Sequence, residues 1–95
     1  MIQCFILDDD KNLVGVEPHE WAAWFGSVLN DDKRTVGYAD LGKGVCVSTI
    51  FIGVNSMFET RIFGGPFDGE EWRYVTWEDA KAGHEAAVRR ASETR

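Results

Sequence analysis

The sequence predicts an α+β domain: an antiparallel sheet of about four strands with two helices packed on one face. Three observations carry this. Residues 18–30 and 76–92 repeat their apolar side chains at helical spacing. Residues 45–54 are apolar almost throughout, interrupted only by Ser48 and Thr49, as in a strand buried on both faces or central in its sheet. The remaining runs are strand-like and bounded by Asp, Asn and Gly turns. A chain of 95 residues is the length of one domain, spanning 1–95.

Taken in order, residues 2–7 form a strand and Asp8 to Asn12 a turn, because Asp and Asn close turns with their own side chains. Leu13 to Val16 make a short return strand. Pro18 suits the first turn of a helix, where its missing N–H is not needed. Glu20 complements the helix dipole there. Trp21, Trp24, Phe25, Val28 and Leu29 fall on one helix face, and Asn30-Asp31-Asp32 ends the helix. Gly26 lies inside it at a cost of ~1 kcal/mol relative to Ala.

Thr35 to Asp40 is the next strand, and Leu41 to Gly44 the turn after it. Val45 to Val54 and Met57 to Phe63 then form a hairpin. A two-residue loop at Asn55-Ser56 would pair Val54 with Met57, Phe51 with Thr60 and Thr49 with Ile62. One face would carry Val47, Thr49, Phe51, Phe58, Thr60 and Ile62, and meet a helix. The other, at least partly open, would carry Ile50, Ile52, Glu59 and Arg61. Gly64 to Gly69 is a loop. Thr76 caps the last helix through a capping box with Asp79. The apolar stripe of that helix is Trp77, Ala80, His84, Ala87, Val88 and Ala91. Glu78 and Asp79 at its start, and Arg89, Arg90 and Arg95 at its end, complement its dipole.

Composition narrows the function classes. Aromatic residues make up 13% of the chain, too many for a disordered segment. No run approaches the ~18 apolar residues of a membrane span, and no export signal is legible. The expected setting is therefore the cytoplasm. Sixteen carboxylates against ten Lys and Arg give a net charge of −6, which argues against direct nucleic-acid binding. A protein partner with a basic surface remains compatible.

Cys4 and Cys46 sit in apolar runs without Cys-x-x-Cys spacing. They read as two small buried side chains, with no metal site and no cofactor expected. His84 falls on the apolar stripe and reads as a structural histidine donating to a backbone carbonyl. No catalytic constellation accompanies it, so an enzyme is not expected; one would have to use His84 with Glu85, Asp79 or Tyr74.

Val47 to Gly53, Phe58 to Gly65, and Tyr74 to Ala80 with Gly83-His84-Glu85 together resemble a family of small bacteriophage and prophage proteins. Glu20 to Phe25 looks like that family's first helix. The resemblance covers most of the chain and implies a phage setting more firmly than a chemistry, with a bacterial host cytoplasm as the location. Two features depart from the family. Its Gly/Pro-rich loop with an Asp-His pair is shortened here to Val54-Asn55-Ser56-Met57. Arg61 stands where the family often has an apolar residue.

Two functions compete on this basis. One is a host-takeover or anti-defence protein, such as an inhibitor of a CRISPR effector, whose carboxylates occupy a basic host site. The other is a phage structural, scaffolding or homo-oligomeric accessory protein, a homodimer included. The candidate binding residues are Asp68, Glu70, Glu71 and Trp72, read as an acidic loop with one exposed aromatic anchor. Glu59 and Arg61, on the open face of the hairpin, are the alternative surface.

Overall fold

The computed structural model describes residues 3–93. Ile2, expected in the first strand, and Arg95, expected at the end of the last helix, lie outside the described residues. The chain runs β1 (Cys4–Leu7), β2 (Leu13–Val16), α1 (Pro18–Gly26), α2 (Asp31–Arg34), β3 (Thr35–Gly42), β4 (Val45–Val54), β5 (Ser56–Phe63), β6 (Glu71–Tyr74) and α3 (Trp77–Ser92). The expected α+β architecture is present. Strands β3, β4, β5 and β6 form a four-stranded antiparallel sheet in chain order. The β1–β2 hairpin extends it to six strands through a single pairing of Cys4 with Val54. β4 is the longest strand, and its length lets β3 and β1 share one of its edges.

Local chemistry explains most boundaries. The carboxylate of Asp8 accepts from the backbone N–H groups of Asp10 and Asn12, both at 2.9 Å, which closes the β1–β2 turn. Glu20 accepts from the N–H of Glu17 at 3.1 Å and stabilises the start of α1 behind Pro18. Thr76 Oγ1 accepts from the Asp79 N–H at 3.1 Å, so the expected cap of α3 is made.

The first helix is shorter than its apolar spacing predicts. It stops at Gly26, and Ser27 is extended at φ −80°, ψ 126°. The Ser27 hydroxyl accepts from the Leu29 N–H and starts a single 3-10 turn, followed by α2. Val28 and Leu29 therefore leave the inward face and stand 79% and 86% exposed. A hydroxyl beside a glycine offers the backbone a non-helical bond, and that local competition ends the helix.

The hairpin register is also shifted by two residues. Thr49 pairs with Thr60, Phe51 with Phe58 and Val47 with Ile62. The chain reverses at Asn55 (φ 66°), and a bulge near Gly53 (φ 84°) absorbs the extra residue. A shift of two preserves which face each side chain occupies. The six residues expected to face a helix are accordingly all 0% exposed. The observed register sets hydroxyl against hydroxyl and ring against ring, whereas the expected one would set Thr60 against Phe51 without a partner.

α3 lies across β3 to β6, with Ala80, Ala87 and Ala91 buried against the sheet. α1 packs on β1, and Trp24 meets Phe51 edge-on with centroids 5.8 Å apart. Both helices thus cover the face that carries Phe51. The core beneath them has two halves. Leu7, Phe51, Phe58 and Ala80 make one, and Val47, Ile62, Ala87 and Ala91 the other.

Phe51→Ala should cost ~3–5 kcal/mol, as expected for a fully buried ring. Val28→Ala and Leu29→Ala should each stay within ~0.5 kcal/mol of wild type, as exposed positions do. Urea melts of the three variants check this. A Leu29→Ala cost matching that of Phe51→Ala would restore the longer helix. Thr76→Ala should cost ~1 kcal/mol by losing the α3 cap.

Candidate functional site

Of the residues singled out as an acidic loop, Glu70 and Glu71 are held by the chain's own cations. Asp68 Oδ1 accepts from the Gly64 N–H at 2.7 Å and closes the 64–69 loop. Glu70 takes both the Nε and a terminal nitrogen of Arg90, at 2.6 and 2.9 Å. Arg90 also stacks over the Phe67 ring, 4.1 Å from its centroid. Glu71 pairs with Arg61 and, through its other oxygen, with Arg73 at 3.3 Å. Arg73 in turn reaches Glu59 at 3.3 Å. The guanidinium of Arg90 holds the Glu70 carboxyl below the usual carboxylate range, and that of Arg61 does the same for Glu71.

Glu71 and Trp72 are strand residues, not loop residues. In β6, Arg61 faces Glu71, Thr60 faces Trp72, Glu59 faces Arg73 and Phe58 faces Tyr74. Trp72 is therefore not an exposed anchor. It is half-buried beneath α3, packed on the half-core of Val47, Ile62, Ala87 and Ala91. The alternation of Glu71-Trp72-Arg73-Tyr74 was the signal for this strand: polar outward, aromatic inward. Glu59 and Arg61 do lie on the open face, as expected. There, Ser48, Ile50, Glu59, Arg61 and Phe63 line a shallow depression of about 160 Å³.

His84 sits at the join of the two half-cores. Its Nδ1 lies 2.7 Å from Thr49 Oγ1, which lies 2.6 Å from Thr60 Oγ1. Its partner is thus a buried hydroxyl and not the expected backbone carbonyl. The ring lies flat on β3 at Gly37, where a Cβ would come within 2.6 Å of His84 Cδ2. Burial lowers the His84 pKa below its ordinary value, and the nearby Glu85 opposes this in part. With the neutral ring's proton on Nε2, Nδ1 accepts from Thr49, which accepts from Thr60. Protonation turns Nδ1 into a donor and reverses that chain.

Both cysteines are free. Cys4 is buried as expected, but Cys46 is only half-buried on the open face. Its hydrogen bond to Tyr38 raises the Tyr38 pKa. Among the described residues, no group of three His, Cys, Asp or Glu could hold a metal ion. No described helix is long and apolar enough to cross a membrane.

A second surface comes together only in three dimensions. The β1–β2 turn meets the start of α3 around a groove of about 340 Å³, lined in part by Lys11, Leu13, Phe58, Val75 and Trp77. Lys11 Nζ stands 4.7 Å above the Trp77 ring. Glu78 is on the same groove, and Asp9 meets Lys33 of α2 at 3.5 Å. These residues are scattered in sequence, and no spacing rule joins them. No family model, curated protein or solved structure matches the chain.

Two measurements probe the histidine network. A histidine whose folded pKa lies below its unfolded value of ~6.5 contributes fully above pH ~6.5. The contribution falls away as pH drops from there towards the folded pKa. Urea midpoints should therefore decline between pH 7 and 5.5 in wild type, and less so in His84→Gln. Thr49→Val should cost ~1–3 kcal/mol at pH 7, because it strands a ring nitrogen and a buried hydroxyl.

Proposed function

We propose that this chain is a phage or prophage accessory protein that acts by binding another protein, with blockade of a basic site on host machinery as the favoured mode. The observation that carries this is the way charge is spent inside the fold. Lys33, Arg34, Arg61, Arg73 and Arg90 are each held by a carboxylate of the same chain. Pairing removes the two signs together, so the net charge of −6 remains for the surface. Such a surface attracts basic partners and speeds their encounter.

The resemblance to small phage proteins supplies the setting. The carboxylates that do the binding differ from those the sequence suggested. Asp68, Glu70 and Glu71 already have internal partners, so reversing them to Lys would put cations against Arg61, Arg73 and Arg90 and disturb the fold. Among the described residues, the carboxylates outside ion pairs, such as Asp10, Asp32, Glu78, Asp79 and Glu85, are the better candidates.

A homo-oligomeric accessory role is the second reading. It is favoured by the open face of the sheet, where Tyr38 is 62% and Phe63 43% exposed. Catalysis at His84 is less favoured, since its Nδ1 is engaged by Thr49.

Affinity purification from bacterial host lysate, read by mass spectrometry across a salt series, tests the proposal. One protein should be recovered in stoichiometric amount at low salt and lost as salt shortens the screening length to a few Å. Light scattering on the purified chain provides the counter-test. A stable dimer that captures nothing from lysate would overturn the proposal in favour of the homo-oligomer.

A further inference from the structure

We infer that the groove between the β1–β2 turn and the start of α3 is the docking site, and that its occupant is a basic segment of the partner protein with an apolar side chain beside a Lys or Arg. The inference rests on the protein-binding reading above and names the surface and the chemistry that reading leaves open. The groove's apolar lining is incompletely covered: Val75 is 67% and Leu13 38% exposed, with Trp77 half-buried between them. A volume of about 340 Å³ has room for a few side chains but not for a folded element.

The charge around it has one sign in excess. Glu78 lines the groove, Asp79 follows it on α3, and Asp8, Asp9 and Asp10 belong to the turn that forms the opposite wall. Among the described residues, Glu78, Asp79 and Asp10 enter no ion pair. Trp77 and Glu78 also line a second depression with Lys81, Ala82 and Glu85, which continues the surface along α3 with two carboxylates against one lysine.

The chain itself shows what the groove accepts. Lys11, at the tip of the turn with φ 68°, lays its ammonium over the Trp77 ring at 4.7 Å. A cation over an aromatic face beside carboxylates is the arrangement an incoming Lys or Arg would adopt. Lys11 therefore occupies the place of the partner's cation in the free protein and must yield it on binding. An apolar neighbour of that cation would cover Leu13 and Val75.

The test uses a short labelled peptide alternating lysine and leucine, with a glutamate–leucine peptide as control. The full chain is titrated at low salt and followed by amide chemical shifts. Shifts should concentrate at residues 11–13 and 75–78, and the acidic control should produce none. Glu78→Gln combined with Asp79→Asn should weaken the basic peptide about tenfold, as expected on losing two facing charges. Lys11→Ala should tighten it about two- to fivefold, because the internal competitor for the ring is gone. A purely structural lysine would not produce that gain. All three side chains are exposed or half-buried, and matched circular dichroism melts confirm that the variants fold. Shifts centred elsewhere, or affinities unmoved by both variants, overturn the inference. Lysate capture separates it from the broader reading: a host partner retained equally by the Glu78→Gln, Asp79→Asn variant overturns the groove, while binding to a protein partner stands.

Discussion

The hydrogen-bond chain from Thr60 through Thr49 to His84 is the constraint on which the rest of the fold depends. It crosses the middle of the core, with aromatic packing on one side and aliphatic packing on the other. A buried hydroxyl without a partner costs ~1–3 kcal/mol, so the two threonines must face each other and one must meet the ring. That requirement sets the β4–β5 register, and the bulge near Gly53 and the reversal at Asn55 absorb the consequence. It also ties α3 to β4 through the bond between His84 and Thr49. Gly37 completes the arrangement by letting the imidazole lie against β3.

Charge follows a comparable logic on the outside. β5 and β6 place Glu59 opposite Arg73 and Arg61 opposite Glu71, so cross-strand pairing consumes charges on the open face. Arg90 of α3 reaches back to Glu70 and ties the helix to the start of β6. A stretch that reads as acidic in one dimension is thereby close to neutral in three. Part of the surplus lies where the β1–β2 turn meets α3. There, carboxylates from distant parts of the chain surround apolar surface and one lysine that leans on Trp77.

The sequence by itself determined the fold class, the order of most elements and which face of each strand is buried. These follow from period-2 and period-3.6 patterning, which needs no knowledge of neighbours. It also marked the cap at Thr76 and the turn closed by Asp8, both made by residues within one turn of their partners. Strand β6 was legible in the alternation of residues 71–74, but the run of acidic residues before it read more strongly as a loop. Only the tertiary structure decided where α1 ends, the hairpin register, the partner of His84 and the fate of each carboxylate. Patterning specifies a face but not a register, because a slip of two residues leaves every side chain on the same side. The pairings of Thr49 with Thr60 and of Phe51 with Phe58 across the sheet distinguish one register from the other. Charge is the same case: Glu70 and Arg90, or Lys11 and Trp77, become neighbours only when strand and helix are packed, and no local rule can anticipate such a pair.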